Sequence, residues 1–390
     1  MALKLICDLC GGKVKKLLSL PNYPMNFSYI PSYCDHSKYV SDYELFHCND
    51  CLHIQGESSY KLSDIYNENY HHYDDAGFQK RQDFFVDRTI LYCAGKVFNR
   101  VIEIGCNDLS LLKKLKKNGV ISAKHWIGID PSVQIDSREL TEGVLFINGY
   151  IQDVDIPHKS DSLPDLIISD QVLEHIPNVL SALKEFSKKI SPNSSFISCV
   201  PSLELLISKF NYPSILHEHI HYFSEHSLNN LFCQLGDFNL QVSEFNEDFW
   251  RFLFQIHSKN FPSKKVEKNC DLVTKFKNSF SIYQQILRQT NDIIESTEGK
   301  IYGFGASDIT ESFCYFLKND LSKLDVIIDE TLRKENMFIP NLKPRIAKLS
   351  AISSFNDATI LITAPQASRA ILNRLVELNP KKIICPLNVL

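Results

Sequence analysis

Two stretches of this 390-residue chain repeat one pattern: an apolar run, a glycine turn, an amphipathic helix, then a second apolar run closed by an aspartate. In the first, "RVIEIG" leads through "CNDLSLLKKLKKNG" to "HWIGID", bracketed by Gly105 and Asp130. In the second, "KIYGFGAS" leads through "DITESFCYFLKN" to "LDVIIDE", bracketed by Gly305 and Asp329. Neighbouring parallel strands need a crossover, usually a helix, so each stretch dictates a strand–helix–strand unit. Further apolar runs extend both units: "DLIISD" and "SSFISCV" after the first, "ATILITAP" and "KIICPL" after the second. An α/β chain with two doubly wound sheets follows.

Between the units, "VLEHIPNVLSALKEFSKKI" reads as one helix, and "FNLQVSEF" with "WRFLFQIHS" as an antiparallel edge pair. The Lys-rich "HSKNFPSKKVEKN" reads as a linker over 257–269. Leu272, Phe276, Phe280, Tyr283 and Leu287 then fall at helical spacing, with Gly299 as the stop. Ahead of both units lie two C-x-x-C pairs, Cys7 with Cys10 and Cys48 with Cys51. Two such turns bring four thiolates to one tetrahedral ion, so a structural zinc site is expected, with Cys34, His36, His47 and His53 as alternative ligands. The eight remaining cysteines stand singly and read as small apolar residues. Three domains are expected: 1–65 zinc-binding, 66–262 around the first unit, and 263–390 around the second.

A net charge of −4 gives no electrostatic pull toward nucleic acid or an anionic membrane. No apolar run has membrane-span length, and "MALKLICDLCGG" lacks the pattern of a secretory leader, so a cytoplasmic location is expected.

The first unit is the candidate nucleoside site. Gly105 allows close backbone approach, and Asp130 can accept both ribose hydroxyls. Its turn reads G-C-N-D-L instead of G-x-G-x-x-G, which suits a ligand without phosphates. In the second unit Gly303, Gly305 and the helix start at Asp308 could offer N–H groups to a phosphate, with Ala306, Ser307 and Asp329 beside them; a purely structural turn and a second dinucleotide site are the alternatives. The run "ILHEHIHYFS" places His217, His219 and His221 at alternate positions around Glu218. Extended, the three rings would share one face. A metal site, acid–base catalysis and plain hydrogen bonding are all open to such a run, while Ser224 is expected to cap the following helix.

In this order the four-cysteine start, "EIGCND", "HEHIHYFS" and "YGFGAS" resemble the bacterial nucleotide-sugar C-methyltransferases over nearly the whole chain. The resemblance implies a class I S-adenosylmethionine (SAM) methyltransferase sheet, a preceding zinc-binding domain and a following Rossmann-like domain that holds the substrate's nucleotide. It implies SAM contacts at Glu103, Gly105, Asn107, Asp130, Pro131, Asp170 and Gln171. It also implies that a base removes a proton beside a ketone and the enolate attacks the SAM methyl. The family's base falls on His219 and its acid on Glu218; Tyr70 or Tyr73 of "NENYHHYDD" falls on a further active-site tyrosine, and Tyr70, His217 and Tyr222 are the candidates to replace the hydroxyl that Leu216 lacks. Leu216 stands where that family has a tyrosine, and Leu109 where it usually has a glycine at the cofactor's edge. Leu216 leaves O-methylation open, and the two leucines together leave open a zinc-ribbon scaffold with a vestigial SAM domain. The implied partner is a small nucleotide-sugar, with neither nucleic acid nor membrane, and the implied assembly is a monomer or homodimer.

Overall fold

The computed structural model describes residues 6–26, 29–33, 39–59, 76–132, 143–236, 238–247, 251–259, 261–262 and 264–386. Cys34, His36, Tyr70, Tyr73 and the expected boundary at residues 65/66 lie outside these residues. The chain opens with antiparallel strands β1 (Val14–Pro24), β2 (Val40–Cys48) and β3 (Ile54–Ser58). Helix Ala76–Cys93 precedes β4 (Val97–Ile104), β5 (Ser122–Asp130), β6 (Leu145–Asn148), β7 (Asp165–Asp170) and β8 (Ser195–Pro201). The short β9 (His221–Tyr222) leaves that series and pairs antiparallel with β3, completing the N-terminal sheet.

Strands β10 (Phe238–Asn246) and β11 (Phe252–Lys259) form the expected antiparallel pair. The central sheet runs β10-β11-β8-β7-β4-β5-β6, parallel from β8 to β6. Its middle strands are buried on both faces, so Val101, Ile102, Ile104 and Leu166–Ile168 form near-continuous apolar runs. His257, shared between the expected edge strand and the expected linker, is a buried residue of β11, which runs on to Lys259, so the linker begins later.

Helix Leu272–Ser296 buries Leu272, Phe276, Tyr283 and Leu287, as the spacing requires. The last sheet is wholly parallel, in the order β14-β13-β12-β15-β16. Its strands are β12 (Ile301–Phe304), β13 (Ile327–Ile328), β14 (Ile346–Ala347), β15 (Thr359–Ile362) and β16 (Lys382–Ile384). One apolar core joins Leu20, Tyr23 and Tyr43 of the N-terminal sheet to Leu203, Tyr212 and Ile215, and to Phe276, Phe313 and Ile327. The expected three segments therefore share packing.

Arg100, in β4, is fully buried. Its Nε and Nη2 donate to the two carboxylate oxygens of Asp165, at 3.0 and 2.5 Å. Its remaining donors reach the carbonyls of Ile156, Pro157 and Lys189. Asp165 also accepts the Ser191 N–H at 2.7 Å. A buried pair satisfied this fully is costly to break on one side, because the other charge is left uncompensated. Arg100→Ala is expected to destabilise the chain by about 3–5 kcal/mol. Urea unfolding checks this, and a loss below about 1 kcal/mol would show that the pair leaves the sheet's stability unchanged.

Candidate active site and metal centre

The first glycine turn is closed by backbone. Gly105 N–H donates to Ile129 C=O at 2.8 Å with φ of 71°, and a Cβ there would lie 2.3 Å from Val172 Cγ2. Only glycine meets both demands. Asp130 accepts the Asn107 N–H at 2.9 Å and both the N–H and O–H of Ser132, at 2.8 and 2.7 Å. These bonds aim a rigid carboxylate at the carboxyl end of β5, the end where open α/β sheets bind ligands. Pro131 is exposed in the turn that follows. Gln171, with φ of 58°, spends its backbone N–H on Cys199 C=O, and its side-chain N–H reaches Cys199 Sγ at 3.5 Å. It is therefore turned toward β8.

Leu109 does not crowd this edge. It takes a left-handed conformation, φ 65°, just before helix Ser110–Asn118, and is fully buried. Its Cδ2 lies 2.3 Å from where a Cβ on Gly128 would stand, so the side chain fills the core under Gly128. The backbone strain of about 1–3 kcal/mol is offset by that burial.

Several buried polar atoms at the same sheet end have no hydrogen-bond partner among the described residues: Glu103 Oε2, Asn107 Oδ1, Asp170 Oδ1 and both oxygens of Glu174. Burial pushes the Glu103 and Asp170 acids up and Glu174 up to about 7. Arg81, from helix Ala76–Cys93, lies 3.4 Å from Asp170. Orphaned acids are expensive, and a cationic ligand relieves them. SAM, with its sulfonium and ammonium groups, suits such a donor set.

The histidine run is divided. His217 donates from Nε2 to Tyr23 C=O at 3.1 Å and accepts at Nδ1 from Ser58 at 2.7 Å. His221 donates from Nε2 to Ile176 C=O at 2.9 Å and takes the His53 Nε2 proton at 3.1 Å. Both rings are buried and committed, and His217 is pushed down to about 4 by burial. The expected shared face does not form, because a turn closed by His219 N–H to Leu216 C=O precedes β9. Tyr222 is likewise committed: its hydroxyl meets Tyr43 at 3.0 Å and the Leu216 N–H at 3.3 Å. Ser224 caps helix Glu225–Cys233.

His219 turns to another partner. Its ring lies edge-on to His175, centroids 4.9 Å apart, and burial pushes its pKa well below the ordinary value. His175 Nδ1–H donates to the Glu218 backbone carbonyl at 2.9 Å, leaving Nε2 3.8 Å from Glu174 Oε1. Glu218 therefore takes part through its main chain. Glu174 and His175 belong to a single turn, Leu173–His175, where one long helix was expected; the helix proper starts at Val179. Pro177 is the reason, since the residue before a proline avoids helical geometry. Sequence reasoning passed over both residues, although that proline was the available signal. Ligand atoms of Glu174, His175 and His219 lie within 4.8 Å of one another, so the trio can pass a proton or hold a cation.

The second glycine turn is closed. Gly303 N–H goes to Val326 C=O, Gly305 N–H to Ile328 C=O, Ala306 N–H to Asp329 and Ser307 N–H to Thr310. Lys334 donates to Ala306 C=O at 2.7 Å and lies 3.5 Å from Asp329, and the Tyr29 hydroxyl donates to the same carbonyl at 2.9 Å. These four N–H groups are bonded within the protein, as those of Gly105 and Asn107 are in the first turn.

At the N-terminus Cys7 and Cys51 sulfurs are 3.5 Å apart, as are Cys10 and Cys48, and all four lie within 4.8 Å. That is too long for disulfides and close to the ~3.8 Å between sulfurs around an ion with 2.3 Å bonds. The Cys51 hydrogen bond pulls Cys7 down to about 6, and burial pushes Cys10 up to about 11. Among the described residues no histidine joins the cluster.

Residues 78–242 match the family model of a methyltransferase domain. The C-methyltransferase NovU of Streptomyces niveus is 30% identical over 139 residues, 35% of this chain and 32% of that protein. The matched stretch thus spans about a third of that relative. Among solved structures, the N-methyltransferase NodS of Bradyrhizobium japonicum WM9 with S-adenosyl-L-homocysteine is 13% identical, covering 51% of this chain and 97% of its own, at a TM-score of 0.36. Magnesium protoporphyrin IX methyltransferase (ChlM) of Synechocystis PCC 6803, with the same bound product, is 14% identical over 51% and 92%, also at 0.36. The chain therefore carries a methyltransferase domain built on the seven-stranded sheet.

Leu109→Ala is expected to cost about 2–5 kcal/mol of stability with SAM affinity little changed. Unfolding and calorimetry on one preparation check both halves.

Proposed function

We propose that this chain transfers the SAM methyl group to a carbon of a nucleotide-linked keto-deoxysugar, with His219 as the base and a structural zinc ion on Cys7, Cys10, Cys48 and Cys51. The observation that carries the reading is the His219–His175 contact beside orphaned Glu174, at the sheet end that carries Asp130. A base must be neutral before it accepts a proton, and burial keeps His219 neutral below the ordinary histidine range. Once His219 is protonated, ionised Glu174 stabilises the cation through His175. SAM supplies the electrophilic methyl, while Asp130 holds the ribose and Glu103 and Asp170 face its positive groups. The similarity to a C-methyltransferase over 139 residues supports carbon as the acceptor.

O-methylation is the second reading, favoured by Leu216, which offers no side-chain hydroxyl to a developing enolate. NMR of the product separates the two by a new C–CH₃ or O–CH₃ signal. The vestigial-scaffold reading loses one support with Leu109 directed into the core.

His219→Ala is expected to abolish turnover while SAM affinity stays near wild type; full activity would sink the base assignment. Asp130→Ala is expected to weaken SAM about 10–100-fold, measured calorimetrically. The pH–rate profile carries its own sign. With His219 depressed, lowering pH through 6.5 leaves the base neutral, and the acid limb instead falls near 7, where Glu174 gains its proton. Glu174→Gln removes that limb; a limb unmoved in the variant would exclude Glu174 from the relay. Native mass spectrometry should find one zinc per chain, absent after Cys10→Ser with Cys48→Ser.

A further inference from the structure

The backbone around His219 is held mostly by main-chain groups. His219 N–H donates to Leu216 C=O at 3.1 Å, Ile220 N–H to Glu174 C=O at 2.9 Å, and Gly56 N–H to Ile220 C=O at 2.9 Å. The carbonyl of His219 itself is taken by a side chain, the hydroxyl of Tyr43 in the middle of β2. Tyr43 is fully buried, its ring set against Tyr23 and His217 with centroids 6.3 and 5.1 Å away. Burial pushes the hydroxyl up, so it keeps its proton and donates. Tyr222 Oη lies 3.0 Å from it and completes its bonding. Gly56, buried in β3, makes the room: a Cβ there would fall on the Tyr43 hydroxyl and stand 3.1 Å from the His219 carbonyl oxygen.

Removing that hydroxyl would leave a buried carbonyl unsatisfied, which the segment relieves only by moving. A general base acts within hydrogen-bond reach of its proton, and a displacement of about 1 Å can cost about a hundredfold in rate. We propose that Tyr43 is a positioning residue for methyl transfer: its hydroxyl, admitted by Gly56, fixes the backbone of His219 and with it the place of the imidazole. Tyr43 is too deeply buried to reach a substrate and acts only through His219. The inference rests on the reading of His219 as the base, and it brings a side chain of the N-terminal sheet into what places that base.

The test compares Tyr43→Phe with Tyr23→Phe in the full chain. Each removes one buried hydroxyl that donates to a carbonyl of the same segment, Tyr23 to Ile215 at 2.7 Å, so a general loss of packing affects both alike. Imidazole NMR signals of histidine-labelled protein are read without substrate, with His219 assigned from His219→Ala. In Tyr43→Phe the His219 signals are expected to shift or broaden, while those of His217 and His221, bonded to Ser58 and Ile176, stay in place. In Tyr23→Phe the His219 signals are expected to stay in place as well. With nucleoside-diphosphate keto-deoxysugars as acceptors, Tyr43→Phe should lower kcat about 10–100-fold and leave both KM values within about twofold. Unmoved His219 signals in Tyr43→Phe, or the same changes in Tyr23→Phe, overturn the proposal. If the wild type turns over no acceptor, the methyl-transfer reading fails, while the imidazole signals still decide whether Tyr43 places His219.

Discussion

The pairing of β3 with β9 is the contact on which the site's geometry rests. Ile54 pairs with Tyr222 and Gln55 with His221, and the His53–His221 hydrogen bond runs beside them. The segment between β8 and helix Glu225–Cys233 is packed into the core at Leu203, Tyr212 and Ile215, and this short ladder fixes its last turn. With it, His221 and His217 are both anchored to the N-terminal sheet, and the turn between them has one course to follow. His219 is the residue left over, and it meets His175 because its neighbours are held elsewhere. Identical side chains at alternate positions thus acquire different partners from the contacts around them.

This arrangement ties the cysteine cluster to the histidine run. Cys48 ends β2, and Cys51 lies in the turn before β3, so an ion there would order the hairpin that β9 joins. A metal on the cluster would thereby bear on where the histidine loop lies. A structural metal can in this way set catalytic geometry without touching substrate.

Much of the architecture was legible in the sequence because periodicity and turn chemistry are local. The Gly105–Asp130 and Gly305–Asp329 units, the antiparallel edge pair and helix Leu272–Ser296 all follow from short-range patterns. β6 and β14 were missed, being short strands without alternation. The site was less legible because its decisive contacts are remote in sequence: Ser58 is 159 residues from His217, and His53 is 168 from His221. Leu109 shows the same limit, since a leucine in left-handed geometry contradicts its local preference and is held there by burial against Gly128. At the second glycine turn the sequence displays the turn but not Lys334 and Tyr29, which both reach the Ala306 carbonyl.

The likeness of the two turns has a consequence of its own. Each spends its glycine amide on the neighbouring strand and hands a further amide to the aspartate that ends it, Asp130 or Asp329. Backbone shape therefore does not tell one cradle from the other; the side chains that close over it do, Lys334 and Tyr29 at the later one.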